Sequence, residues 1–150
     1  MSLVLPSSMI GQMIAHAYEE APNECCGMIS GKDGIPTKLH HLRNSEASPY
    51  RYQIHPLDYR KVDEENEANG WELMAIYHSH VASRAYPSPT DVRMARWPGS
   101  SELDMFPDAY YILISLKDHN APLIRAFKIK GGKVSRQAII RPSELPQSLT

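Results

Sequence analysis

Leu73-Met74-Ala75-Ile76-Tyr77-His78-Ser79-His80 is the stretch whose reading decides the fold. The apolar run from Leu73 to Tyr77 predicts a buried strand. On a strand, side chains at i and i+2 leave the same face, so His78 and His80 project side by side while Ser79 points away. Two parallel imidazoles are half of a zinc site, and one carboxylate completes a three-ligand set. Ser88 and Asp91 follow, and Asp91 supplies that carboxylate if the loop from Val81 to Pro87 folds back. Three protein ligands leave the fourth tetrahedral position to water, which is the open arrangement of a catalytic zinc.

Each piece also has an ordinary structural account. A strand end facing a polar groove carries two histidines without any metal. Ser88-Pro89-Thr90-Asp91 places serine at an N-cap, proline at N1 and an acid at N3, close to a capping box. The short helix Asp91–Trp97 would follow, stopped by Pro98-Gly99. It is the convergence of a strand end, a loop and a helix start that favours a metal. Capping and function do not compete, because a helix start offers N–H groups and partial positive charge beside an oxyanion.

Outward from this centre, Ile10, Met13, Ile14, Ala17 and Tyr18 fall on one helical face, with Ser7 or Ser8 as cap and Pro22 beyond the end. Cys26 to Ser30 reads as a strand, Gly31-Lys32-Asp33-Gly34 as a hairpin turn, and Ile35 to Leu42 as the returning strand. Tyr50 to Ile54 predicts another strand, and Pro56 opens a charged helix that ends near Gly70. Tyr110–Leu116, Leu123–Ile129 and Lys133–Ile140 predict an antiparallel meander. The expected architecture is α/β, a mixed central sheet flanked by helices. Trp97 to Pro107 is longer than a minimal connection, and the tail from about Pro142 is expected to be loosely ordered.

With 150 residues and no linker or repeat, the chain is expected to form a single domain over residues 1–150, burying roughly 70% of its unfolded surface. A net charge of −1 argues against nucleic acid as the main partner. No run approaches the roughly 20 apolar residues of a membrane span, and the N-terminus does not read as a signal peptide. A cytoplasmic location is expected. Cys25 and Cys26 are adjacent, so they are badly placed to pair, and their thiols point to opposite faces. Packing is their expected role.

The combined string resembles the signature of the JAMM metalloproteases, the zinc-containing MPN+ branch of the Mov34/MPN family. That signature is a glutamate, then His-x-His, seven residues, Ser, two residues and Asp. His78, His80, Ser88 and Asp91 meet its second half without substitution, and Glu24-Cys25-Cys26-Gly27 resembles the Glu-x-Cys-Gly that carries the glutamate. The resemblance implies a cytidine-deaminase-like MPN architecture. It also implies one zinc per chain on His78, His80 and Asp91 with water as fourth ligand, Glu24 as general base and Ser88 steadying the oxyanion.

JAMM enzymes cleave peptide or isopeptide bonds after the C-terminal tail of ubiquitin-like proteins. Tyr77-His78-Ser79-His80 and Ala85-Tyr86-Pro87-Ser88 resemble small bacterial members that act on ubiquitin-like sulfur carrier proteins. The resemblance therefore implies such a carrier as partner, its Gly-Gly tail as substrate, and cysteine or a short peptide as the released group. Two other readings stand beside it. A deaminase-type zinc hydrolase needs His-x-Glu or Cys-x-Glu with a later Pro-Cys-x-x-Cys, and no Pro-Cys occurs. A non-catalytic MPN scaffold is expected to lack metal ligands, which this chain has. The oligomeric state is open, a homodimer being one of the alternatives.

Overall fold

The computed structural model describes residues 2–100 and 102–142. Its elements in order are β1 (Ser2–Val4), α1 (Ser7–Glu20), β2 (Cys26–Lys32), β3 (Ile35–Leu42), α2 (Pro56–Asn69), β4 (Glu72–His80), α3 (Pro89–Met94), β5 (Tyr110–Ser115), β6 (Leu123–Lys130) and β7 (Lys133–Ile140). The strands form a seven-stranded sheet in the order β1-β7-β6-β5-β4-β2-β3. β1 runs parallel to β7 and β4 parallel to β5, while the remaining pairs are antiparallel. This is the mixed sheet flanked by helices that the sequence predicts.

The alternation of side chains along the central strands sorts the core into two layers. On β4, Ala75 and Tyr77 join Ile10, Met13 and Ala17 of α1, whereas Ile76 packs on the other face with Val62 of α2. On β2, Ile29 faces α1 and Met28 faces the α2 side. The period of two therefore places His78 and His80 on the α2 and α3 side of the sheet. Cys26 pairs with His78 and Gly27 with Tyr77, so β2 fixes the end of β4 that carries the histidines.

Several expectations are corrected. Tyr50–Ile54 is not a strand. It is a loop whose backbone makes one isolated bridge, between Asn44 and Ile54. The side chain of Asn44 satisfies that loop's backbone instead: Nδ2 donates to Arg51 O and Oδ1 accepts from Gln53 N and Glu46 N. β1 has no counterpart in the predicted elements, since three residues are too few to show a period. Its place comes from distant pairing with β7. α1 has no side-chain cap, because Ser7 already lies inside the helix after Pro6. α3 starts at Pro89 and stops at Met94, before Trp97. Arg96 and Trp97 instead fold back on the following segment, Arg96 bridging to Asp104 and Trp97 N donating to Leu103 O. The tail from Ser143 onward lies outside the described residues.

Gly27 is where glycine is required by a close approach. A Cβ there would lie 2.2 Å from the Tyr77 ring and 2.4 Å from His40 O. Because one of those contacts is backbone, relief requires shifting β3. Gly27→Ala is expected to destabilise the fold by about 3 kcal/mol. Gly11→Ala, on α1 with nothing near its Cβ, is expected to stabilise it by about 0.5–1 kcal/mol. Denaturant unfolding of both variants checks the pair, and equal effects would remove the packing account.

Candidate metal centre

β4 delivers His78 and His80 side by side, and the loop after it returns to bring Asp91 opposite them. Asp91 Oδ2 lies 3.1 Å from His78 Nε2 and 3.0 Å from His80 Nε2. One donor atom from each of the three residues falls within 4.8 Å of the others, and all three residues are buried. Among the described residues, no other group of three or more His, Cys, Asp or Glu side chains converges in this way. All three donors come from one chain.

Two local devices orient the donors. His80 Nδ1 is 2.8 Å from Arg84 O. A carbonyl only accepts, so Nδ1 carries a proton; Nε2, 3.0 Å from Asp91 Oδ2, donates to that carboxylate when the ring is protonated and offers its lone pair to a metal when the ring is neutral. Asp91 is held by the capping box of α3: Ser88 N donates to Asp91 Oδ2 at 2.8 Å, and Asp91 N donates to Ser88 Oγ at 3.0 Å. The cap read in the sequence and the carboxylate read as a ligand are thus one structure. With its oxygen engaged as an acceptor, the Ser88 hydroxyl keeps its own proton free to donate.

The electrostatics are those of a cation site. Burial would raise the Asp91 carboxyl, but the two imidazoles and the Ser88 amide hold it well below the usual carboxylate range. Burial pushes the His78 pKa down despite Asp91. For His80, burial is outweighed by its hydrogen bonds to Asp91 and Arg84 O, and the pKa rises. His78 Nε2 is close to Asp91 yet not aligned for a hydrogen bond. Together with Glu24 Oε1 it is a buried polar atom without a partner. Unpartnered buried donors and acceptors are costly. Two imidazole nitrogens and a carboxylate oxygen converging from three buried residues fit a divalent metal such as zinc.

Glu24 sits just before β2 and is 3% exposed. Its backbone is pinned at both ends, its N–H donating to Ser48 O at 2.9 Å and its C=O accepting from Asn44 Nδ2 at 3.0 Å. Burial pushes its carboxyl up to about 8, with His80 opposing and Asp91 adding to the rise. Ser79 points to the opposite face, as its position on the strand predicts, and accepts from Cys25 N at 2.8 Å. It thereby anchors the residue next to Glu24, a role that the sequence does not signal.

The other histidines stand apart from this centre. His16 is buried with Nδ1 2.7 Å from the Tyr77 hydroxyl. His40 is buried against Ser30, and His55 caps α2 by accepting from Leu57 N. Cys25 and Cys26 are free and buried. Among the described residues, no helix is long and apolar enough to cross a membrane.

The chain belongs to the family of prokaryotic homologs of the JAB domain, which matches residues 6–130. The CysO-cysteine peptidase of Mycobacterium tuberculosis is 33% identical to it over 139 residues, 91% of this chain and 89% of its own. A protein of Desulfitobacterium hafniense, solved in solution, matches with a TM-score of 0.80 at 30% identity, over 99% of this chain and 97% of its own. A JAB1/MPN domain protein of Archaeoglobus fulgidus shares the fold, with a TM-score of 0.56 and 16% identity over 93% of this chain and 98% of its own.

The buried Glu24 carboxyl gives the metal-free protein a specific pH dependence. Its folded pKa, about 8, lies above the ordinary value of 4.5, so between those values the folded state holds a proton that the unfolded state has lost. Its contribution to stability is present at low pH and lost as pH rises through that window. Chelated Glu24→Gln is therefore expected to match the chelated wild type near pH 4 and to exceed it at pH 8, by on the order of 2–4 kcal/mol. Urea unfolding at the two pH values checks this.

Proposed function

We propose that this chain is a zinc metallopeptidase of the JAMM type, acting through a single domain on the C-terminal Gly-Gly tail of a ubiquitin-like sulfur carrier protein. The observation that carries the reading is the convergence of His78, His80 and Asp91 beside a buried, unpartnered Glu24 carboxylate oxygen. The relative named as a CysO-cysteine peptidase supports the substrate class, a carrier bearing cysteine. His78, His80 and Asp91 would hold one zinc per chain, with water in the fourth position. A zinc so held would supply a bound water of pKa about 7 and a Lewis acid beside the scissile carbonyl.

The chain's own residues supply the rest. Glu24 accepts a proton from the attacking water and returns it to the leaving amine nitrogen. A bound cation favours its ionised form, which burial alone disfavours. Ser88, its oxygen fixed by the Asp91 amide, donates its free proton to the developing oxyanion. Arg84 O keeps His80 in the tautomer that binds through Nε2.

Elemental analysis of protein purified without chelator is expected to give about one zinc per chain, and Asp91→Ala to lose most of it. Zinc-free protein that takes up none on titration would sink the proposal. Glu24→Gln is expected to keep the zinc but lose about 3–5 kcal/mol of transition-state stabilisation, the cost of a missing general base. On substrates, an intact carrier–cysteine adduct is expected to be cleaved far faster than its isolated tail peptide, since docking of the folded carrier positions the bond. Gly→Val changes in that tail are expected to abolish cleavage while the carrier still docks. Equal rates on all of these substrates would show a general peptidase.

A further inference from the structure

His78 and His80 are not held alike. The ring of His80 is fixed by the hydrogen bond from Nδ1 to Arg84 O. His78, only 1% exposed, has no partner for its Nδ1 among the described residues. A metal-ligating histidine ordinarily needs such a partner to set the orientation of its ring. What faces His78 instead is Tyr52, whose ring stacks on the imidazole with centroids 4.3 Å apart and planes 24° from parallel. His80 meets the same imidazole edge-on, at 5.1 Å and 66°.

Tyr52 reaches this place from the loop that Asn44 closes. Arg51 O and Gln53 N, on either side of Tyr52, are both bound to the Asn44 amide, whose Nδ2 also binds Glu24 O. The tyrosine is therefore anchored through its two neighbours to the backbone of Glu24.

We infer that Tyr52 is a positioning residue for the metal ligand His78. Its stacked ring fixes the plane of an imidazole that lacks a hydrogen-bonded anchor, so that Nε2 stays aimed at the point shared with His80 and Asp91. This rests on the metal reading of the site. Stacking constrains the plane, while the proximity of Asp91 to Nε2 sets which edge of the ring faces inward. The contact needs an aromatic face and not the hydroxyl group, which separates this role from a catalytic or hydrogen-bonding one.

The test is the zinc affinity of the wild type and of Tyr52→Phe, Tyr52→Leu and Tyr52→Ala, measured by competition with a chelator. The visible spectrum of each cobalt-substituted protein and the thermal unfolding of each metal-free one are recorded alongside. Tyr52→Phe is expected to stay within about two-fold of the wild type, and Tyr52→Leu and Tyr52→Ala to bind roughly 10–100-fold more weakly. The cobalt bands are expected to change for leucine and alanine only. Leucine retains apolar bulk, so its metal-free protein should unfold near the wild-type temperature, and weak binding there cannot be ascribed to a collapsed fold. Wild-type affinity and spectra in leucine and alanine variants would overturn the inference alone, as would a phenylalanine variant as weak as alanine. A wild type that binds no zinc would overturn the metal reading and the inference with it.

Discussion

The register between β2 and β4 is the constraint on which the site depends. Cys26 lies opposite His78 and Gly27 opposite Tyr77, and the absence of a Cβ at Gly27 is what lets the Tyr77 ring and His40 O approach. A slip of one residue would turn both histidines toward α1 and bring Ser79 to the side of Asp91. The same pairing sets where β2 begins, and so where Glu24 stands. Ser79 strengthens it from the opposite face by engaging the backbone of Cys25. The face of the strand that carries no chemistry thus keeps the other face in register.

Polar groups placed this deeply need compensation from their surroundings. Asp91 receives it from the Ser88 amide and from the imidazoles, and His80 from Arg84 O. Glu24 receives none at Oε1, and its elevated pKa is the consequence. A group left unpaired in an otherwise satisfied interior is unfavourable for folding, and such groups concentrate where function requires them.

The sequence made the centre of the structure legible because its information there is local. Period-two alternation, the Pro89 and Ser88 signals and the Gly70 helix stop all act within a few residues, and the structure follows them closely. What it hid depends on distant partners. Tyr50–Ile54 has the alternation of a strand, yet one asparagine amide satisfies its backbone and removes the need for a ladder. The burial of His16 depends on Tyr77, 61 residues further along the chain. Glu24 is one acid among many, distinguished only through the family motif. Tyr52 carries no signal at all, since nothing in a loop aromatic announces the imidazole on which it lands.

The capping box of α3 has a thermodynamic side. At six residues the helix is far too short to persist by itself, and the carboxylate that nucleates it is the one that faces His78 and His80. Any cation drawing on Asp91 acts on the first turn of α3 at the same moment. Occupancy of the centre and order in the segment after it would then be two readings of one equilibrium, so the polypeptide from Ser88 onward would register whether a cation is bound.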